Sequence, residues 1–137
     1  MIRFEHVTKR YKAQSAPALD DINVDIEDGE FAFLVGPSGS GKSTFLRLLL
    51  REEKATSVKV IVNDKDIAKL RNWKVPAFRR QMGAVFQDFR LLPEKTVTQN
   101  VAFALEVIGA PKSKVGPAVA DALELVGLTD LANRKPG

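Results

Sequence analysis

A glycine-rich segment at residues 36–43 constrains the fold of this chain more than any other feature. It reads GPSGSGKS and matches the pattern G-x-x-x-x-G-K-[ST] at every fixed position. A continuous apolar run, residues 31–35, precedes it, and an amphipathic stretch from Lys42 to about Arg51 follows it. This order predicts a strand buried on both faces, a glycine-rich loop and a helix, which is the beginning of an α/β fold.

The residue types in this loop suit the binding of a nucleotide phosphate. Glycines let successive backbone N–H groups point inward without interference from a Cβ atom, and the free N–H groups of the following helix attract an anion. We expect Lys42 to reach the β- and γ-phosphates, and the Ser43 hydroxyl to ligate Mg²⁺. The predicted phosphate-binding residues are Gly36, Pro37, Ser38, Gly39, Ser40, Gly41, Lys42, Ser43 and Thr44.

The remaining apolar patterns predict further strands and helices. Alternating residues at 2–7 and 18–27 indicate two strands of an antiparallel sheet, with His6 at a sheet edge. Residues 58–62 predict another strand, closed by a turn at Asn63 and Asp64, and residues 83–86 predict a buried one. Helices are expected at 42–51, where the inward residues would be Phe45, Leu46, Leu48, Leu49 and Leu50, and at 75–81, 97–108 and 114–126.

Composition narrows the class of protein. The 137 residues are 45% apolar, as in one globular domain, and the absence of cysteine excludes disulfides, Cys-based zinc sites and thiol catalysis. A single histidine leaves no histidine cluster for a catalytic metal. The net charge of +4 is too small to indicate a specific nucleic-acid partner. No segment has the length of a membrane span or the pattern of a signal peptide, so we expect a cytoplasmic protein.

Two residues outside the loop make the prediction more specific. Tyr11 lies 25 residues before Gly36, and Gln87 lies 45 residues after Lys42. The pattern F-x-x-V-T-K-x-Y at 4–11, followed by ALDDI at 18–22 and GEF at 29–31, resembles the ABC-type ATPases. The resemblance implies that Tyr11 stacks on adenine and that Gln87 approaches Mg²⁺ and the attacking water. It implies ATP and Mg²⁺ as cofactors, Lys42 and Gln87 as catalytic residues, and Ser43 and Gln87 as metal ligands.

Residues 86–92, FQDFRLL, and 95–102, KTVTQNVA, are similar to the cell-division branch of these ATPases, in its actinobacterial form. That similarity implies an integral membrane partner, homodimerisation, peripheral association with the inner face of the cell membrane and a role in regulating peptidoglycan hydrolysis. Two alternatives stay open. The chain could be the ATP-binding subunit of a transporter for polar amino acids or lipoproteins, or a module that binds nucleotide without turnover.

The chain departs from the family pattern at residues 133–137, NRKPG, where a Leu-Ser-Gly-Gly signature would begin. The Walker B carboxylates and the switch histidine of the family have no counterpart in residues 1–137, and His6 belongs to the first strand. We therefore expect a partial ABC nucleotide-binding domain over 1–137, with weak nucleotide binding and negligible hydrolysis by these residues alone. Because parallel neighbours of the 31–35 strand would also be missing, an exposed apolar edge is expected there.

The segment 65–80 carries six basic side chains and one tryptophan, Trp73. Its basic residues could face anionic lipid head groups or nucleic acid, but a solvated surface is the simpler interpretation. Trp73 is expected to be a partly buried packing residue.

Overall fold

The computed structural model describes residues 1–13, 15–54 and 57–137, together with the backbone but not the side chains of residues 57 and 58. It divides into two compact units, which we call the amino-terminal unit (residues 1–81) and the carboxy-terminal unit (residues 82–137). The amino-terminal unit contains β1 (Ile2–Lys9), β2 (Leu19–Ile26), α1 (Lys42–Leu49), β3 (Ser57–Val62), β4 (Lys65–Asp66) and α2 (Val75–Arg79). The carboxy-terminal unit contains α3 (Val97–Val107) and α4 (Lys112–Leu125).

The strands form one antiparallel sheet in the order β2-β1-β3-β4. The predicted antiparallel pair at the amino terminus is confirmed, as is the strand predicted at 58–62. The expectation that His6 lies at a sheet edge is wrong, because β3 pairs with β1 on the side opposite β2. The His6 side chain is nevertheless exposed, because β1 has an irregular register between Phe4 and Val7 and His6 there adopts a φ of 50°.

The core of the amino-terminal unit joins β1 to α1. The rings of Phe4 and Phe45 stack with their centroids 4.2 Å apart and their planes 17° apart, and both side chains are buried. On α1 the buried residues are Thr44, Phe45 and Leu48, which the helical period places on one face. The prediction that Leu46 points inward is wrong: this side chain is 51% exposed, because it lies outside the buried face of the helix.

The turn predicted at Asn63 and Asp64 is present, and it is the two-residue loop of a hairpin formed by β3 and β4. Asn63 and Asp64 have φ angles of 47° and 60°, and Val62 pairs with Lys65 across them. Positive φ at both central residues is the geometry that matches the twist of antiparallel strands. Aspartate accepts this geometry less readily than glycine, so the hairpin carries a modest strain.

Two predicted strands are absent from the structure. Residues 31–35 and 83–86 pair with no strand in the described part of the chain, and Phe31, Phe33 and Val35 are each at least 80% exposed. A strand persists only when a neighbour satisfies its N–H and C=O groups, and neither segment has one here. The apolar exposure expected at 31–35 is therefore observed.

Helix α2 confirms the helix predicted at 75–81, with Pro76 in its first turn. Its inward residues are Val75 and Phe78, whereas Trp73, in the short 3₁₀ turn before it, is 70% exposed. The expectation that Trp73 is partly buried is wrong, because the buried side chains of this segment are Val75 and Phe78 of α2. The ammonium of Lys74 lies 5.1 Å from the Trp73 ring centroid.

Helices α3 and α4 confirm the helices predicted at 97–108 and 114–126. Thr96 and Gln99 form a reciprocal capping box at the start of α3, and Gly127, with a φ of 68°, follows the end of α4. The Asn100 side chain bonds both the N–H and the C=O of Leu92, which attaches the preceding loop to α3. Among the described residues, no helix has the length and apolar character needed to cross a membrane.

Candidate phosphate-binding site

The glycine-rich loop leads directly into α1 and leaves the start of that helix open. Gly39 and Gly41 have φ angles of 81° and 93°, and Gly41, as the residue preceding α1, has no side chain that could cap it. The first intrahelical bond runs from the Phe45 N–H to the Gly41 carbonyl at 2.8 Å. The N–H groups before Phe45 therefore have no partner within the helix, which makes this end of α1 suited to an anion.

Gly41 is also required by close packing. A Cβ atom placed on Gly41 would lie 2.4 Å from the carbonyl oxygen of Ala18 and 2.8 Å from Cδ2 of Leu19. A Cβ atom on Gly36 would similarly lie 2.6 Å from Oγ of Ser40. The loop thus packs closely against the beginning of β2 and against itself. Its shape therefore requires glycine for space as well as for the positive φ.

Lys42 places its ammonium inside the loop. Its Nζ donates to the carbonyl oxygens of Gly36 and Pro37, each at 2.7 Å, and lies 3.4 Å from Oγ of Ser40. A positive charge is therefore held where the loop residues converge. Phosphate oxygens entering this loop would replace the two carbonyls as partners of the ammonium.

The two hydroxyl residues at the start of α1 differ in exposure. Ser43 is exposed beside the loop, whereas Thr44 is 8% exposed and belongs to the buried face of α1. The Ser43 hydroxyl is accordingly accessible to a metal ion that accompanies a nucleotide. Thr44 is oriented toward the core, so its contribution to an anion would come from its backbone N–H.

Tyr11 follows β1, and the structure brings this strand end beside the glycine-rich loop. The Ala18 N–H donates to the Lys9 carbonyl at 2.7 Å, and the Ala18 carbonyl is the group that packs against Gly41. The Tyr11 hydroxyl is buried and has no hydrogen-bond partner in the part of the chain that the structure describes. Tyr11 and the loop therefore belong to one region of the amino-terminal unit.

Lys9 is the residue of this region that sequence reasoning missed. It is only 9% exposed, and its ammonium donates to the Glu53 carboxylate at 2.8 Å and to the Lys54 carbonyl at 2.9 Å. The sequence carried a signal, because Lys9 lies two residues after the apolar Val7, which is the spacing of side chains on one face of a strand. A lysine at an inward position of a strand indicates a buried partner.

Gln87 lies in the carboxy-terminal unit. It is exposed and begins a turn in which the Phe89 N–H donates to the Phe86 carbonyl at 3.2 Å. The Arg90 guanidinium lies 3.6 Å from the Phe86 ring centroid, and Phe89 and Arg90 both have positive φ. The role of Gln87 beside a metal ion stays a prediction.

The glycine-rich loop, the uncapped helix after it and the sheet that packs on that helix define the class of this protein, a P-loop NTPase. A family model described as ABC transporter matches residues 19–137. The chain therefore belongs to the ABC transporter family, and the resemblance seen in its motifs is confirmed.

Curated relatives narrow the similarity to one branch of that family. The chain is 58% identical to the cell division ATP-binding protein FtsE of Mycobacterium tuberculosis over 99% of its own length and 59% of that protein. It is 47% identical to the Bacillus subtilis protein of the same name and 43% identical to the one of Escherichia coli K12, covering 59% and 61% of them. The chain thus spans about three fifths of the length of these relatives.

Solved structures confirm the predicted fold class, an α/β ABC cassette with an antiparallel β subdomain. One is the dimeric structure of MJ0796, a bacterial ABC transporter cassette, with a TM-score of 0.88 and 33% identity over 99% of this chain and 62% of that one. Another is the dimeric post-hydrolysis state of MJ0796 bound to ADP and Pi, with a TM-score of 0.87, 32% identity and the same coverage.

Proposed function

We propose that this chain is the ATP-binding part of a cell-division ABC system and that Mg-ATP binds at residues 36–44. The observation that carries the proposal is the Lys42 ammonium, which lies inside a glycine-rich loop at the open end of α1. The relatives named FtsE support the cell-division branch over the amino-acid and lipoprotein transporters that the sequence left open.

The residues of the loop suit a triphosphate chemically. The N–H groups at the start of α1 and the Lys42 ammonium would neutralise phosphate oxygens, and the space that Gly36 and Gly41 keep free of Cβ atoms gives the loop its tight shape. Mg²⁺, when bound, would supply positive charge that offsets the negative charge of the phosphate oxygens. Ser43, exposed beside the loop, would be one of its ligands, and we propose Gln87 as a second.

Tyr11 would hold the base. An aromatic ring that stacks on adenine contributes about 0.5–1.5 kcal/mol beyond area burial. The proposal is supported by the path of the chain, since the strand that ends just before Tyr11 touches the loop through Ala18.

At the level of the whole system, we propose an FtsX-like integral membrane partner, a homodimer and peripheral attachment to the inner face of the cell membrane. ATP-driven changes would be transmitted to that partner and so regulate septal peptidoglycan hydrolysis. Residues 1–137 contain no counterpart of the family's signature or of its catalytic carboxylates. We therefore propose that these residues alone bind nucleotide weakly and hydrolyse it negligibly.

Titration calorimetry with Mg-ATP tests the site. We expect Lys42→Ala to weaken binding at least tenfold, because it removes the only side-chain charge inside the loop. Lys65→Ala, an exposed lysine of the same unit, is the matched control and should leave the affinity unchanged. Equal affinity of wild type and Lys42→Ala would contradict the proposed site.

Two further assays test the remaining parts of the proposal. Turnover of saturating Mg-ATP that Lys42→Ala abolishes would show that the chain is a competent ATPase and would overturn the expectation of negligible hydrolysis. Co-purification from membranes should recover an FtsX-like protein with the wild-type chain. Recovery of a polar amino-acid or lipoprotein permease instead would favour that alternative.

A further inference from the structure

Lys9 is a buried lysine that the phosphate loop does not explain. It ends β1, pairs with Leu19 across the β1–β2 ladder and is 9% exposed. Lysine is rarely buried to this extent, because its ammonium loses hydration unless fixed partners replace the water. The environment of its Nζ atom therefore indicates what this side chain does.

Within the described residues, three groups lie close to the Lys9 ammonium. Nζ donates to Oε2 of Glu53 at 2.8 Å and to the Lys54 carbonyl at 2.9 Å, and it lies 4.9 Å from the centroid of the Tyr11 ring. An ammonium has three N–H donors, and the carboxylate and carbonyl oxygens use two of them. A cation within about 6 Å of an aromatic face is attracted by the ring quadrupole.

The Lys9 ammonium connects two segments of the amino-terminal unit. Lys9 and Tyr11 come from the end of β1, whereas Glu53 follows α1, and its N–H donates to the Arg47 carbonyl at 3.2 Å. The Tyr11 ring thus lies against the Lys9 ammonium, which is bonded to Glu53 just after the end of α1. The hydroxyl at the far end of the same ring is buried.

The Lys9 backbone lies beside the phosphate loop. Its carbonyl accepts from the Ala18 N–H at 2.7 Å, and the Ala18 carbonyl is the atom that a Cβ on Gly41 would meet at 2.4 Å. One hydrogen bond and one close contact therefore separate Lys9 from the last glycine of the loop. One face of the Tyr11 ring lies against the Lys9 ammonium, so a base would have to stack on the opposite face.

We propose that Lys9 is a positioning residue for base recognition: the Lys9–Glu53 pair holds the Tyr11 ring so that its other face stacks on the purine of a nucleoside triphosphate. This inference rests on the proposed nucleotide site and extends it to a pair outside the loop. Its physical basis is preorganisation, because a ring immobilised in advance loses less conformational entropy when the base binds. The Lys9 ammonium contacts the Tyr11 ring and lies outside the glycine-rich loop, so its effect should depend on the presence of a base.

The test compares two ligands, Mg-ATP and Mg-tripolyphosphate, which share the phosphates and differ in the base. We expect Lys9→Met to weaken Mg-ATP binding about two- to twelvefold, because ordering a free side chain on binding costs about 0.5–1.5 kcal/mol. Its affinity for Mg-tripolyphosphate should equal that of wild type. Lys12→Met makes the same chemical change at an exposed lysine three residues away and should alter neither affinity.

Glu53→Gln provides a second variant that keeps the buried lysine and the size of its partner. It removes the carboxylate charge from the pair, so it should weaken Mg-ATP selectively in the same direction. The double variant Lys9→Met/Glu53→Gln should be no weaker toward Mg-ATP than Lys9→Met alone, because the two residues act through one interaction.

Tyr11 is the sole tyrosine of the chain, which permits a direct readout of the ring. Labelling with 3-fluorotyrosine gives one ¹⁹F resonance, which Mg-ATP should shift and Mg-tripolyphosphate should leave in place. In Lys9→Met the resonance of the ligand-free protein should move toward the position of an exposed tyrosine. A merely structural contribution of Lys9 to stability would not produce this ligand-selective pattern.

The outcomes separate this inference from the proposed function. If Lys42→Ala loses both ligands while Lys9→Met binds both like wild type, the phosphate site stands and the role of Lys9 is overturned. Equal weakening of both ligands by Lys9→Met also overturns it, since Lys9 would then support the fold and not the base. If wild type binds neither ligand, the proposed nucleotide site fails, and the inference fails with it.

Discussion

Replacement of Gly41 by alanine should be the most costly single change in the glycine-rich loop. Gly41 has a φ of 93°, and a Cβ atom there would lie 2.4 Å from the Ala18 carbonyl oxygen, about 1 Å closer than an ordinary contact. Ala18 cannot withdraw freely, because its N–H is bonded to the Lys9 carbonyl at 2.7 Å. The substitution therefore combines backbone strain with a clash against a fixed backbone group.

The magnitude follows from these two costs. A positive φ costs a residue with a Cβ about 1–2 kcal/mol. Overpacking that moves the backbone adds about 1–3 kcal/mol. We expect Gly41→Ala to lower the free energy of unfolding by about 2–5 kcal/mol. Gly39→Ala has a similar φ of 81° but no atom within 4 Å of the new Cβ, so it should cost only the strain, about 1–2 kcal/mol.

Urea unfolding followed by far-ultraviolet circular dichroism measures both values. Gly83→Ala serves as the neutral control, because Gly83 has no strained φ and nothing within 4 Å of an added Cβ. Its unfolding free energy should stay within about 0.5 kcal/mol of wild type or rise slightly. The reasoning would be refuted if Gly41→Ala and Gly39→Ala destabilised the chain equally, because the close approach to Ala18 would then carry no energy.

Three other changes test the packing and the turns. Phe4→Ala removes one ring of the stacked pair with Phe45 and should cost about 3–5 kcal/mol in the same urea assay, and a loss below 1 kcal/mol would contradict the core described for β1 and α1. Asp64→Gly should stabilise the β3–β4 hairpin by up to about 1 kcal/mol in thermal unfolding, because φ is 60° there, and a lowered midpoint would argue against that turn. Phe33→Ser should reduce light scattering in concentrated solution without lowering the unfolding free energy, because Phe33 is 80% exposed, and clear destabilisation would mean that this ring is packed.

Sequence patterns that involve only neighbouring residues were sufficient to predict much of the secondary structure. The alternation in β1 and β2, the 3.6-residue period of α1, α3 and α4, and the two-residue turn at Asn63 and Asp64 all depend on neighbours within a few positions. They were therefore readable from the sequence, to within a few residues at each end. The glycine-rich loop belongs to the same group, because its φ requirements are local.

The burial of apolar runs was harder to predict, because it depends on segments that are far away in the chain. Residues 31–35 have the composition of a buried strand, yet no described strand pairs with them and their side chains are exposed. Trp73 shows the same kind of error, since it is 70% exposed where partial burial was predicted, while Val75 and Phe78 are the buried side chains of the neighbouring helix. Whether an apolar side chain is covered is decided by other segments and not by its own sequence.

The sequence by itself determined the family and the residues of the phosphate loop, because a loop that binds an anion with backbone N–H groups needs glycines, a lysine and a hydroxyl at set spacings. Only the tertiary structure decided that Gly41 is required by its close approach to Ala18 as well as by its positive φ, and which partners Lys9 has. Ala18 and Glu53 lie 23 and 44 residues away from Gly41 and Lys9, and no local pattern connects them. Such contacts arise from strand pairing and from the path of the chain after α1, so they become visible only when the chain has folded.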